Sequence, residues 1–221
     1  MVRRTGNHFI NGGNGKTLLR AAAEGKAQIV RFSLDQYHTM IRDGIVPEDS
    51  TVELLYGMLV RKDRSVLGED PMGHSPLHAA VVALISKLTR KIEGANHLRI
   101  QLPIEIQPDH APEPDGAVII GDYLDFLDHL PGPKDVSCVI EVAHSSLERD
   151  EEDKGPIYAK GLIAQYLILD LREMRVVEMT QPQAESGKYQ SVRFYDKGEV
   201  VRMNLGRDKS LDVAVTELLP P

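Results

Sequence analysis

The chain contains one cysteine among 221 residues. That excludes an internal disulfide framework and any zinc site built on cysteines. Cys138 lies inside an apolar run, where it reads as a small core side chain. No apolar run is long enough to cross a bilayer. The N-terminus lacks the basic, apolar, small-residue order of a secretion signal. With a lone cysteine, this points to a cytoplasmic location. A basic excess is also lacking. The net charge is −7, which weighs against a simple nucleic-acid binder, because phosphate binding usually shows as a basic surface. A site built from carboxylates would itself contribute to that balance. Nor is there a complete phosphate loop. "GGNGKT" looks like part of one, but the glycine needed five positions before Gly15 is Ile10, and no strand precedes it.

What is present is ordinary for a globular domain: 42% apolar and 27% charged residues. Residues 1–30 are rich in Gly and Asn and lack a period, so they read as an N-terminal extension to a domain spanning 31–221. "FSLDQYHTMIRDG" predicts a helix with Ser33 and Gln36 forming a capping box and with Leu34, Tyr37 and Ile41 on one face. "STVELLYGMLVRK" predicts two short strands around a turn at Tyr56-Gly57. "SPLHAAVVALISKLTRKIEG" predicts the clearest helix, from a Ser75 cap with Pro76 in the first position to Gly94. Its apolar stripe is Leu77, Val81, Leu84, Leu88 and Ile92, with Ile85. "LRIQLPIEIQ" alternates and predicts a strand, with Arg99, Gln101, Pro103, Glu105 and Gln107 on its polar side. "DGAVII" and "SCVIEVA" read as buried strands, and "AQYLILDL", "MRVVEM", "KYQSVRFYD" and "EVVRMNL" as further ones. Strands outnumber helices without regular alternation. The expected fold is therefore α/β of the α+β kind, one mixed sheet flanked by helices.

The chemistry gathers around Glu141, a carboxylate at the centre of an apolar strand. An ionised carboxylate there needs compensation. A buried cation is one answer and a metal ion is another. Asp115 opens the preceding strong strand, and adjacent strands lie about 4.8 Å apart, so the two acids can meet. Two carboxylates plus waters suit Mg²⁺, a hard ion that prefers oxygen, and Glu113 could add a further oxygen. Downstream, Asp150, Lys154 and Tyr158 stand four apart and share a face if helical. Lys154 would then reach the acids, where it could hold a phosphate oxygen or orient a water. The expectation is that Asp115, Glu141 and Lys154 converge at one open, acidic pocket.

The segments "EPD", "VIEVAHSSLERDEEDK", "YAKGLIAQYLILDL", "ELLYGMLV" and "SPLHAAVVALISKL" together resemble the restriction-endonuclease-type family called Uma-two, of the PD-(D/E)XK nuclease superfamily. The resemblance covers roughly residues 30 to 218. It implies a restriction-endonuclease-like fold and an endonuclease that uses Mg²⁺, with Mn²⁺ as a substitute, to hydrolyse DNA. By resemblance, Asp115 and Glu141 are catalytic metal ligands and the carbonyl of Val142 is a third ligand. The motif's usual lysine position holds Ala143, and the following helix supplies the lysine instead, as Lys154. Glu53, His78 and Tyr158 match accessory positions. Gln101 joins them as a polar-face candidate. Lys154 is followed by Gly155-Pro156, and proline cannot continue a helical hydrogen-bond ladder. A helix that restarts there is expected.

Plainer roles exist for each residue. Glu141 could be paired with a buried cation for purely structural ends. Glu53 could pair across its sheet, and His78 could be a satisfied boundary histidine. Asp150 and Asp153 could be solvated helix charge. Three functional readings follow: a DNA endonuclease acting as a homodimer, a non-catalytic nucleic-acid-binding or assembly module that keeps the nuclease fold, and a Mg²⁺-dependent phosphohydrolase of small substrates.

Overall fold

The computed structural model describes residues 29–47, 52–61, 76–92, 96–143 and 153–220. The phosphate-loop-like segment, Ser75, Gly94 and Asp150 lie outside the described residues. So does nearly all of the expected extension.

Helix α1 (Leu34–Arg42) begins at the expected cap. The Ser33 hydroxyl accepts from the Gln36 N–H at 3.3 Å, and Gln36 accepts from the Ser33 N–H at 2.9 Å. Leu34 and Tyr37 pack with Val46, Leu54 and Ala111. Strands β1 (Val52–Leu55) and β2 (Met58–Arg61) form a hairpin. Tyr56 and Gly57 both have positive φ, 52° and 69°, as a two-residue turn of this hand requires. A Cβ on Gly57 would lie 2.6 Å from Arg31 Cβ, so only glycine fits there.

Helix α2 (Pro76–Lys87) is extended by a 3₁₀ turn, Leu88–Arg90. Its buried stripe is Val81, Ile85, Leu88 and Ile92, with Leu77 at the margin. The expected stripe gave Leu84 equal weight, yet Leu84 is only half-buried. At 3.6 residues per turn it lies about 70° from the stripe's centre.

The sheet has six strands in the order β3-β4-β5-β6-β7-β8. They are β3 (Asn96–Arg99), β4 (Gly116–Ile120), β5 (Val136–Ala143), β6 (Gln165–Asp170), β7 (Arg175–Gln183) and β8 (Lys188–Tyr195). Every pairing is antiparallel except β5 with β6. That parallel step requires a crossover, which carries the short helix α3 (Gly155–Lys160). A second hairpin, β9 (Val200–Gly206) and β10 (Lys209–Ala214), is followed by α4 (Val215–Leu218).

Each sheet face has its own core. Helix α2, the β9–β10 hairpin and α4 cover Val118, Ile140, Val142 and Leu167. Helix α3, the first hairpin and the segment after β3 cover Ile119, Val139, Tyr166 and Ile168. The mixed sheet flanked by helices matches the expected fold class.

One element departs from expectation. The alternating run from Leu98 to Gln107 is not one strand. It leaves the ladder after Arg99, Gln101 takes a positive φ of 50°, and Leu102 is 45% exposed. Pro103 has no N–H to donate. Ile104 and Ile106 remain buried, but their N–H groups go to the carbonyls of Pro112 and His110.

Candidate functional site

Gly116 pairs with Ile140, so Asp115, one residue before β4, stands opposite Glu141 on the neighbouring strand. Directly opposed residues have Cβ atoms about 5 Å apart. The Asp115 carboxylate is held from three elements. The Val142 N–H donates to Oδ2 at 2.9 Å, the Gln101 amide to Oδ1 at 3.1 Å, and His78 Nε2 of α2 lies 3.3 Å from Oδ2. Gln101 follows Arg99 on the polar side of the run, two residues past the Arg99–Ala117 pair, and so lies on the face that carries Asp115.

Glu141 is compensated by a cation, as its burial demands. Lys154 Nζ lies 2.9 Å from Glu141 Oε1 and 2.9 Å from Glu53 Oε1. The Tyr158 hydroxyl donates to Glu141 Oε1 at 2.8 Å. Glu53 also accepts the Glu113 N–H at 2.7 Å. Lys154 and Tyr158 thus share a face at a spacing of four, although Lys154 sits in a π-turn and α3 proper starts at Gly155 with Pro156 in its first turn. The restart expected from Gly155-Pro156 is there, and it leaves the aim of Lys154 intact.

The sequence-predicted residues therefore occupy two linked nodes. Asp115, Gln101, His78 and the Val142 amide form one; Glu141, Lys154, Glu53 and Tyr158 form the other. Glu113 contributes its backbone N–H, while its side chain lines a neighbouring cleft of about 600 Å³ bounded by α1 and by Phe126 to Leu130. The centre is not the open pocket expected. Glu53, Glu141, Asp115 and Lys154 are 3%, 5%, 7% and 8% exposed.

Two residues escaped sequence reasoning. The Tyr56 hydroxyl donates to the Asp153 carbonyl at 2.8 Å and so holds the residue before Lys154. Its own N–H donates to His110 Nδ1 at 2.9 Å. His110 is thereby kept in the Nε2–H form, facing Asp109 at 3.3 Å. Burial pulls His110 down to about 4. An aromatic residue at a hairpin turn was the only signal for Tyr56. Tyr37 reports the charge of the region: burial, with Glu113 and Glu53 adding to it, pushes its phenol up to about 12.

Among the described residues, no three His, Cys, Asp or Glu side chains form a metal-binding group. The arrangement offers instead two carboxylates facing across adjacent strands. A strand residue points its N–H and C=O to the same edge, and the Val142 N–H goes to Asp115. The Val142 carbonyl therefore faces the Asp115 edge too. This hard-oxygen set fits Mg²⁺, which binds through one or two carboxylates and keeps several waters.

No curated protein matches the chain. A crystal structure from Anabaena variabilis, described as a "putative nuclease belonging to DUF820", superposes with a TM-score of 0.58 at 16% identity, covering 85% of this chain and 97% of that one. At that identity the likeness establishes the fold. A family profile described as "Putative restriction endonuclease" matches residues 34–214. That span takes in both hairpins, all six sheet strands and every residue of the two nodes, and the chain belongs to the Uma2 family.

Proposed function

We propose that this protein is a Mg²⁺-dependent endonuclease that hydrolyses DNA phosphodiester bonds, with Mn²⁺ as a substitute ion. The observation that carries the reading is the reach of Lys154 from the crossover onto Glu141, with Asp115 opposite on the next strand. Asp115, Glu141 and the Val142 carbonyl would hold the ion. When bound, it supplies a water of lowered pKa and offsets charge on the phosphate.

The chain's own residues do the rest. Gln101, the Val142 N–H and His78 fix the Asp115 carboxylate in one orientation. Tyr158 restrains Glu141. Lys154 supplies a point charge able to hold a phosphoryl oxygen or orient a water. Burial lowers the local dielectric and makes each of these interactions count for more. A homodimer would bring two such centres to the two strands of a duplex, and sedimentation velocity tests that part directly.

A second reading has its own support. Lys154 already compensates Glu141 and Glu53, so the cluster is satisfied as a structural ion-pair network. On that reading the protein is a non-catalytic module. Plasmid cleavage in Mg²⁺ or Mn²⁺, with calorimetric metal titration, separates the two. The endonuclease reading expects nicking or linearisation that Asp115→Asn and Lys154→Met abolish, and metal binding that Asp115→Asn removes. Intact plasmid and no metal heat in the folded wild type would establish the module. Nucleotides assayed beside the plasmid expose a small-substrate hydrolase.

A further inference from the structure

Strand β3 ends in Arg99, on the sheet face that carries the candidate site. Arg99 stands opposite Ala117 on β4. The next position along that face is Asp115, which Gln101 reaches. Among the described residues Arg99 has no ion-pair partner, and its Nε is buried without an acceptor. The chain has 33 acidic side chains against 26 basic ones, so a counter-charge was abundant and is nevertheless missing here. The Nε is shut off from water without a counter-charge, which is unfavourable, while the residue as a whole is only half-buried and open to an incoming anion. Burial accordingly lowers the guanidinium's pKa.

Tyr123 packs on the same strand, near enough for its phenol to bear on the Arg99 charge. Its hydroxyl is 3.5 Å from the Leu98 carbonyl, and its ring lies over His97 at 4.0 Å, tilted by 36°. His97 is pinned in turn by its Nδ1, 2.7 Å from the Gly121 carbonyl. Tyr123 remains 54% exposed, flanked by Leu124 and Leu127 at 72% and 78%. One side of the ring is thus braced and the rest is open to solvent. An uncompensated guanidinium beside a braced, open aromatic ring matches a nucleotide: phosphate on the cation, base on the ring.

We infer that Arg99 and Tyr123 form a subsite that holds one phosphate and one unstacked base of a nucleic-acid strand beside the Asp115–Glu141 centre. This rests on the nuclease reading. It specifies a strand whose bases are accessible, because a paired base cannot lie on the ring.

The test is binding of a fluorescent single-stranded DNA oligonucleotide by the full chain in EDTA, across a salt series. Arg99→Gln weakens binding roughly tenfold and reduces the slope of log K against log salt by about 0.7, one phosphate's share on a single strand. Arg99→Lys keeps the slope. Tyr123→Leu weakens binding roughly tenfold with the slope unchanged, and Tyr123→Phe binds as wild type. Arg99→Gln also melts at or above the wild-type temperature, because it removes an uncompensated cation. Unchanged affinity and slope in Arg99→Gln would overturn the inference. So would a wild type that does not bind the oligonucleotide, or a much lower melting temperature for Arg99→Gln. Plasmid cleavage decides separately whether the nuclease reading stands.

Discussion

At the scale of single residues, the centre is defined by one ammonium serving two buried carboxylates. The consequences of removing each partner therefore differ. Lys154→Met leaves Glu53 and Glu141 uncompensated and should cost about 3–5 kcal/mol, as for other broken buried pairs. Glu141→Gln leaves Lys154 its bond to Glu53 and relieves crowding of like charges, so about 1–2 kcal/mol is expected. Urea denaturation of both variants without metal checks the order; equal losses would mean that Glu53 does not share the charge. His110 gives a second prediction. Its folded pKa of about 4 lies below the ordinary value of 6.5. Between those values the unfolded chain binds the extra proton, so stability falls as pH drops from 6.5 to 4, by up to about 3 kcal/mol. Above pH 6.5 the group adds no slope. His110→Asn retains an acceptor for the Tyr56 N–H and should flatten that part of the profile, read as the denaturation midpoint between pH 7.5 and 4.5.

At the scale of elements, the test is which residues of α2 face the sheet. Ile85 is fully buried, and Gly116 beneath it is so close that an added Cβ would lie 3.0 Å from Ile85 Cγ2. Ile85→Ala should cost about 2–5 kcal/mol and Leu84→Ala under about 1 kcal/mol, measured by thermal or urea unfolding. The helix itself was legible because its apolar period is unbroken. Its rotation was not, because Leu84 and Ile85 are both apolar and only the partner surface chooses between them. The β9–β10 hairpin shows another limit. Its first strand was legible, but Gly206 and Asp208 were the turn signal, with Arg207 between them taking a positive φ of 49° that its residue type does not announce. The polar stretch after that turn hid the period of β10, which went unread.

At the scale of the whole molecule, the second hairpin is fastened to the main sheet by the buried Gln165 of β6. Its side chain accepts the Asn204 N–H at 2.7 Å and donates to the Arg202 carbonyl at 2.9 Å. Val201, Met203 and Leu205 then complete the core under α2. Gln165→Leu leaves a buried donor and acceptor unmet, a loss of about 2–4 kcal/mol. Hydrogen exchange should show faster exchange at Asn204 than elsewhere in the sheet. A variant as stable as wild type, with Asn204 still protected, would refute the fastening role.

The residues alone determined most of the sheet strands, though not β10 or the end of β3, and that a carboxylate at position 141 required compensation. These are local properties, carried by period, capping and the cost of burying charge. Asp115, Glu141 and Lys154 were legible as candidates from their strand and helix positions, whereas Glu53 joined them only through the family resemblance. Tertiary structure alone decided how they meet: that Lys154 divides its charge between Glu141 and Glu53, that Gln101, beyond the end of β3, donates to Asp115, and that Tyr56 and His110 hold the segment carrying Lys154. Those facts depend on which distant segments come into contact, and no local pattern records the distance between Glu53 and Lys154 across a hundred residues of chain.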